Sequence, residues 1–436
     1  MRQVSYLNMQ SKKKYLLWGF LLVVLTFAAL NRHSRSKPFH YSSQIMSDKA
    51  GYYVYLPALF LYEFKSSKFP TKVDSLTGDG FQLNLKDNEV HSKYPVGVAV
   101  LVSPFFILAH VYSVLTDKVA DGFSIPYQNA IDIAGVFYLL LGLYFLNKFL
   151  LNYCSQKVVI VSLASLFLGS NLYYYTIFEG GYSHVYTLFL FSIWLYNLKA
   201  FEKTKGTKYW LQLFAIASFI ILVRQINLAF IFLSIGLFSS PQSFYAGKTA
   251  KDWLKGLGMA IAIFTPQLFY NIYLTQTPFT YSYQNEGFIY WLNPKWIEVL
   301  FGFENGWLIT SPVLILSITG LIFLYKNHKK SALIILLITL ICTYIYASWW
   351  AYKLGCSFGH RGFVDIYPFL SLPYTVGLSY FLLHKKSFLK ILITIVLFTG
   401  VFLNLKYTYT YDSCWPISTE LSDFEIYWHF ISSPTK

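Results

Sequence analysis

Long apolar stretches separated by short polar segments dominate this sequence. About twelve of these runs approach the roughly 20 residues that cross a bilayer as a helix, and several fall short of that length. They are Tyr15–Leu30, Val96–Leu115, Ile131–Leu151, Val158–Ile177, Val185–Leu198, Trp210–Val223, Ile226–Phe238, Leu257–Leu274, Trp307–Tyr325, Ala332–Trp350, Ile366–Leu383 and Leu389–Leu405. Strands of membrane barrels are short and alternate in polarity. The runs therefore predict an all-α polytopic membrane protein with about 11–12 transmembrane helices.

Composition and charge agree with this prediction. Of 436 residues, 55% are hydrophobic, 20% aromatic and only 13% charged, which is too apolar for a water-soluble domain of this size. The net charge of +15 would suggest nucleic-acid binding in a soluble protein. Here most of the excess lies in short loops beside apolar runs, so it indicates membrane topology and no nucleic-acid partner is expected.

The lysine clusters orient most of the loops. We predict that the N-terminus and the clusters Lys199–Lys208, Lys248–Lys255, Lys326–Lys330 and Lys385–Lys390 face the cytoplasm. The first third of the chain does not fit, because three crossings would place the weaker cluster Lys148–Lys157 outside. Either one early segment is re-entrant or this cluster is misleading, and the charges do not decide between the two.

We interpret residues 1–436 as a single membrane domain with three extracytoplasmic segments: a long first loop (32–94), a later loop (276–306) and a short C-terminal tail (406–436). The first apolar run follows three lysines and lacks a clear cleavage site, so we expect an uncleaved signal anchor. Within the first loop, the aromatic stretch Tyr52–Phe64 is too short to span and is expected to lie along the membrane surface.

Asp48 is the first acidic residue and directly precedes this aromatic stretch. In a helix, Tyr52 and Tyr55 share its face, although Pro57 must start or kink that helix. A carboxylate beside aromatic rings can accept a proton from a sugar hydroxyl while the rings support the apolar faces of the sugar. The alternative is that Asp48 caps a helix.

The segment Trp349–Asp365 holds three glycines, His360 and Arg361. The glycines allow close backbone approach, and the two basic side chains supply donors for a phosphate. Alternatively, Arg361 and Asp365 form an i,i+4 ion pair within a helix.

Other polar residues interrupt apolar runs. Glu179 and His184 flank a glycine turn and either converge on one cavity or form the polar tip of a helical hairpin. Arg224 separates two short runs and is expected to face a cavity or a loop mouth. Tyr283 lies in a stretch of aromatic and amide residues that is typical both of carbohydrate sites and of membrane interfaces.

The cysteines do not indicate a metal site. Cys154, Cys342, Cys356 and Cys414 show neither CxxC nor Cys/His ligand spacing. A disulfide between Cys356 and Cys414 is left open, because both can face an oxidising side.

Four motifs occur in order along the chain. They are Asp48-x-x-x-Tyr52; Lys93-Tyr94-Pro95-Val96-Gly97 followed by Ser103-Pro104-Phe105-Phe106; the turn with Glu179 and His184; and Gly306-Trp307 with Ser311-Pro312. Together they resemble the GT-C superfamily of polytopic glycosyltransferases, particularly its ArnT-like and protein-mannosyltransferase-like members. The combination of these motifs, which covers most of the chain, carries the resemblance.

The resemblance implies a GT-C-like bundle with an inverting glycosyltransferase activity outside the cytoplasm of a bacterial cell. A polyprenyl-phosphate sugar would be the donor, and a lipid, glycan or protein of the cell envelope the acceptor. Asp48 would be the catalytic base, and Arg361, with His360 or Arg224, would bind the donor phosphate. The residues expected to line the substrate site are Tyr52, Tyr55, Lys93, Glu179, His184 and Tyr283.

No further cofactor is implied. Many relatives carry a second acidic residue directly after the first, whereas Lys49 stands here, so a divalent metal is not expected. Two other classes remain open: a transporter or polymerase of lipid-linked saccharides, which needs no acid at the start of the first loop, and a non-catalytic assembly subunit.

Overall fold

A computed structural model describes residues 2–32, 37–40, 42–237, 241–283, 286–355, 357–384, 386–411 and 423–434. Cys356 and Cys414, the pair considered for a disulfide, lie outside the described residues. Helices dominate this part of the chain, and strands are nearly absent from it. The first ten α-helices are α1 (Arg2–Leu30), α2 (Asp48–Tyr53), α3 (Tyr55–Phe60), α4 (Val73–Leu76), α5 (Gly97–Leu115), α6 (Ile125–Leu150), α7 (Gln156–Leu168), α8 (Leu172–Ile177), α9 (Ser183–Thr204) and α10 (Thr207–Val223).

The second half of the chain continues the helical pattern. Its α-helices are α11 (Leu228–Ile235), α12 (Pro241–Tyr245), α13 (Ala250–Thr275), α14 (Trp296–Phe301), α15 (Trp307–Thr310), α16 (Ile315–Asn327), α17 (Lys329–Ser348), α18 (Tyr367–Leu383), α19 (Ser387–Thr410) and α20 (Asp423–Ser432). Within the described residues, four 3₁₀ helices cover Ser66–Lys68, Gln225–Asn227, Pro312–Leu314 and Arg361–Ile366. The long first loop also holds an antiparallel hairpin of β1 (Gln82–Asn84) and β2 (Glu89–His91).

Six helical segments in the described residues are long and apolar enough to cross a membrane. They are Gly97–Leu115, Ile125–Leu150, Ala250–Thr275, Lys329–Ser348, Arg361–Leu383 and Ser387–Thr410. Shorter apolar helices accompany them, among them Leu16–Leu30 and Thr207–Val223. The prediction of an all-α, multi-pass membrane protein is therefore supported at this level.

Several predicted runs are broken rather than continuous. The run from Trp307 is interrupted at Ser311-Pro312, where proline lacks the N–H that would continue an α-helix. The two runs around Arg224 become α10 and α11, because Arg224 takes an extended backbone conformation with φ −152°. The break at Arg224 places polar groups in the wall of a cavity.

The structure shows where the cluster Lys148–Lys157, which did not fit the charge pattern, lies in the bundle. Asn152 and Tyr153, which follow α6, border the same cavity as Lys199 and Lys326, so the cluster Lys148–Lys157 lies at the same end of the bundle as those two lysines. We call this end the lysine end.

The helix α5 packs against α6 through two polar contacts. The hydroxyl of Tyr138 donates to the carbonyl of Leu101 (2.8 Å), and His110 contacts the hydroxyl of Tyr127 (2.7 Å). These contacts show that α5 runs antiparallel along the first half of α6. The α5 helix therefore packs beside the half of α6 that lies farther from the lysine end.

A glycine allows α16 and α18 to pack in close contact. A Cβ atom added at Gly320 in α16 would lie 1.9 Å from the carbonyl oxygen of Pro373 in α18. Only glycine permits this distance, which is the usual mode of close helix packing in membranes. This contact holds α18, whose preceding 3₁₀ helix carries Arg361, in a fixed position.

A buried polar network anchors the first loop to the bundle. Arg32 pairs with Asp132 of α6 at 2.9 Å, and the amide of Gln44 donates to the same carboxylate at 2.8 Å. The side-chain oxygen of Gln44 also accepts from the backbone of Gly181 at 2.9 Å. Because these groups are buried, breaking the network would leave polar atoms unsatisfied, so it fixes the loop just before Asp48.

Candidate functional site

A cavity of about 500 Å³ opens where the first loop meets the helix ends opposite the lysine end. Its walls carry carboxylate, guanidinium, imidazole and many aromatic groups. The lining residues are Asp48, Tyr52, Lys93, Tyr94, Pro95, Tyr182, His184, Val223, Arg224, Gln225, Ile226, Tyr281, Tyr283, Glu286, Phe288, Ile345, Tyr346, Trp349, Trp350, Ala351, Leu354, Gly355 and Arg361. We call it the aromatic cavity.

Asp48 is the first residue of α2, and its carboxylate lies in the cavity wall. Ser47 occupies the N-cap position, and the Asp48 carboxylate accepts hydrogen bonds from side chains. Its Oδ1 accepts from the Tyr94 hydroxyl at 2.6 Å, and its Oδ2 from Arg361 at 2.9 Å. Burial and the nearby Asp48 raise the pKa of Tyr94, so the phenol stays protonated and donates. The side chain of Asp48 remains 34% exposed, so an incoming hydroxyl can reach it.

Arg361 joins Asp48 to the loop that follows α17. Besides Asp48, its guanidinium donates to the carbonyl of Leu354 at 2.7 Å and lies 4.7 Å from the centre of the Tyr182 ring. A guanidinium carries further N–H donors, and its side chain is 11% exposed in the cavity wall. Arg361 is therefore positioned to bind an anion beside Asp48.

A second polar cluster, which we call the Asp365 cluster, lies deeper. His184 Nδ1 lies 2.8 Å from Asp365 Oδ1, and Arg224 Nε lies 3.1 Å from Asp365 Oδ2. Arg224 also donates to the hydroxyl of Tyr346 (3.0 Å) and contacts His184 Nε2 (3.4 Å). Nδ1 of His184 faces the carboxylate of Asp365, which only accepts, and Nε2 faces the guanidinium of Arg224, which only donates. A neutral His184 therefore carries its proton on Nδ1.

The backbone geometry explains why Arg361 and Asp365 do not pair. Residues Arg361–Ile366 form a 3₁₀ helix, in which positions i and i+3 share a face. Residues four apart therefore diverge. Arg361 turns to Asp48, and Asp365 turns to Arg224 and His184.

Aromatic rings form much of the cavity wall. Tyr52 and Tyr94 lie 4.5 Å apart between ring centres, and Tyr283 makes an edge contact with Trp349 at 6.1 Å. Lys93 pairs with Glu286 across the cavity mouth and lies 5.6 Å from the centre of the Tyr283 ring. Such amphipathic walls offer ring faces to the C–H faces of a sugar and polar atoms to its hydroxyls.

The structure brings together most of the residues singled out from the sequence. Asp48, Tyr52, Lys93, His184, Arg224, Tyr283 and Arg361 all line the aromatic cavity. Three expected residues, Tyr55, Glu179 and His360, do not belong to its lining.

Each of these three residues faces another part of the protein. The α2 helix ends at Tyr53, before Pro57, and this break turns Tyr55 away from Asp48; its hydroxyl donates to the carbonyl of Tyr94. Glu179 pairs with Lys49 behind the wall. His360 Nε2 donates to the carbonyl of Tyr352 at 2.9 Å. Tyr55 and Glu179, which were expected to line the substrate site, and His360, which was expected to bind the donor phosphate, therefore lie outside the lining of this cavity.

Several residues of this site could not be predicted from the sequence. Tyr94 lies within the motif Lys93–Gly97, but nothing in its spacing from Asp48 indicates a hydrogen bond across 46 positions. Asp365 was considered only as a partner of Arg361. Tyr182 and Tyr346 follow no pattern that separates them from the other tyrosines of the chain.

The Lys49–Glu179 pair should be important for stability. Burial lowers the pKa of Lys49, and the attraction to Glu179 only partly opposes this effect. Glu179→Gln leaves a buried, uncompensated ammonium, so we expect a loss of about 3 kcal/mol in the free energy of unfolding, the lower end for a buried pair because Glu179 is 15% exposed. Thermal unfolding in detergent measures this loss. The matched change Glu304→Gln, in an exposed pair with Lys353, should cost less than about 1 kcal/mol; equal losses would contradict the argument.

His360 should contribute to acid sensitivity. Burial lowers the pKa of His360 to about 3, well below the ordinary histidine value of about 6.5, so the unfolded chain binds a proton that the folded protein excludes. Stability from this residue is present above pH 6.5 and is lost as the pH falls towards 3. His360→Gln keeps a donor for Tyr352 but cannot titrate, so its melting temperature should fall less between pH 7 and pH 5. An identical fall in both proteins would contradict this assignment.

No protein-family model matches the sequence, and no curated protein matches it either. Among the described residues, no group of three or more His, Cys, Asp or Glu side chains is arranged to hold a metal ion. The site must therefore be interpreted from its own geometry.

Proposed function

We propose that the aromatic cavity is the active site of an inverting glycosyltransferase that uses a polyprenyl-phosphate sugar. The observation that carries this proposal is the pairing of the accessible carboxylate of Asp48 with Arg361 in a cavity walled by tyrosine and tryptophan rings. A base, an anion-binding group and sugar-binding surfaces are thus within one site. The motif resemblance to the GT-C superfamily, with its bundle of about 11–12 transmembrane helices, supports the same function.

The transfer would proceed by one displacement at the anomeric carbon. Asp48 takes the proton of the acceptor hydroxyl as its oxygen attacks, and the bond between the anomeric carbon and the phosphate oxygen breaks. Polyprenyl phosphate leaves with the electron pair of that bond. Arg361 stabilises the charge that develops on the phosphate, and Tyr94 holds the carboxylate in position.

Arg224 would have a supporting role. Its contacts with Asp365, His184 and Tyr346 engage most of its guanidinium. It therefore contributes positive charge to the cavity, whereas Arg361 is better placed to contact the phosphate directly. The membrane location suits a donor whose long aliphatic tail must remain in lipid while its phosphate enters the cavity.

Mass analysis of cell-envelope glycans tests this function. In a strain that lacks the protein, we expect an envelope glycan, lipid or protein to lose the mass of one sugar, and the wild-type gene to restore it. A transporter or polymerase predicts a different result, in which unextended or untranslocated lipid-linked saccharides accumulate. That outcome would contradict the transferase.

A further inference from the structure

A second, larger cavity lies at the lysine end, opposite the aromatic cavity. Its volume is about 1150 Å³, and it lies among the ends of α6, α9, α16 and α18. The two cavities share α9, which begins beside Asp365 and ends at this second cavity. Its 22 residues, at about 1.5 Å each, span roughly 33 Å, which is close to the thickness of the hydrocarbon layer. The second cavity therefore lies near the other membrane face.

The second cavity is basic. Lys199, Lys203, Lys326 and Lys386 line it, together with His328 and His384. None of its lining residues, all within the described part of the chain, carries a carboxylate. Glu202 pairs with Lys199 at 2.7 Å, so the excess positive charge comes from the other three lysines.

The cavity also has an apolar side that continues to the outer surface of the helices. Phe323 and Val376 belong to its wall, and Leu383, which is 67% exposed, stands at its edge. Tyr153, which also lines it, makes an edge contact with His328 at 5.6 Å between ring centres. A cationic surface and an apolar surface therefore lie side by side in this cavity.

We propose that this cavity binds the phosphate headgroup of an anionic phospholipid. Basic pockets between membrane helices recognise such headgroups, and the exposed apolar edge gives the acyl chains a path along the bundle. Lys203, Lys326 and Lys386 come from separate chain segments and line one cavity. The general excess of lysine in loops that sets membrane topology does not require such a common cavity. This site is independent of the transfer reaction.

Native mass spectrometry of the full chain in detergent tests the proposal. The probes are dioleoyl phosphatidylglycerol and dioleoyl phosphatidylcholine, which share acyl chains and differ in headgroup charge. Each lysine near an anionic headgroup contributes about a fivefold gain in affinity. The variant Lys203→Gln/Lys326→Gln/Lys386→Gln should therefore bind phosphatidylglycerol at least about tenfold more weakly, with phosphatidylcholine binding unchanged.

Two controls separate the site from general charge and from folding. Lys208→Gln/Lys251→Gln/Lys255→Gln removes the same charge from exposed positions outside the cavity and should change binding by less than about threefold. Arginine at the three cavity positions should retain binding. Equal losses in both glutamine variants, or competition by free glycerol phosphate as effective as by the lipid, would overturn a lipid-headgroup site.

Discussion

Replacing Asp48 with asparagine is expected to lower the rate of sugar transfer by about 10²–10⁴-fold, which is the usual contribution of a general base. Asparagine keeps the size of the side chain and an oxygen that can accept from the Tyr94 hydroxyl. It cannot take a proton from the acceptor. The initial rate with a purified polyprenyl-phosphate sugar measures the effect, and the melting temperature verifies that the variant is folded.

The matched control for this variant is Asp79→Asn. Asp79 is exposed in the same loop and has φ 54°, a conformation that asparagine adopts readily. Its rate should equal that of the wild type. Because Asp48→Asn also removes the charge that holds Arg361, donor binding must be measured separately and should remain. Transfer at the wild-type rate by Asp48→Asn would contradict its role as base.

The change Asp365→Asn is expected to destabilise the protein by about 3 kcal/mol, because it leaves the guanidinium of Arg224, which is 18% exposed, without its counter-charge. Asp365 is fully buried and contacts both Arg224 and His184. The side-chain amide of asparagine would also point N–H donors at Arg224 or His184, which are themselves donors. Chemical denaturation in detergent measures the change, and the transfer rate should fall as Arg224 shifts.

A double variant tests the physical cause of this loss. Adding Arg224→Met to Asp365→Asn removes the uncompensated cation, so part of the lost stability should return. Double-mutant analysis isolates this coupling between residues in contact. A double variant that is less stable than Asp365→Asn alone would contradict the ion-pair explanation.

The sequence was sufficient to predict the class of fold, because apolar runs of bilayer length leave few alternatives. It did not predict the path of α5, which meets the length and composition of a span but packs along only half of α6. Such a path depends on contacts such as that of Tyr138 with the carbonyl of Leu101, which a hydropathy pattern does not contain.

The candidate site shows a similar division. Asp48 and Arg361 stood out as charges beside apolar segments, yet their contact joins positions 313 residues apart. The i,i+4 spacing of Arg361 and Asp365 suggested a local pair, and the 3₁₀ geometry separates them instead. Glu179 and His184 flank the same turn but contact different residues: Glu179 pairs with Lys49, and His184 pairs with Asp365. The sequence was therefore enough to identify the charged groups, whereas tertiary packing determines which groups they contact.

The central claim is that the aromatic cavity transfers a sugar from a lipid phosphate. The most direct test incubates the purified full chain in lipid nanodiscs with a polyprenyl-phosphate sugar that is radiolabelled in the sugar, together with an envelope extract as acceptor. We predict that labelled sugar appears on the acceptor and that free polyprenyl phosphate forms in equal amount. If the labelled donor remains intact, and reconstituted vesicles instead show that it crosses the membrane unchanged, the claim is contradicted.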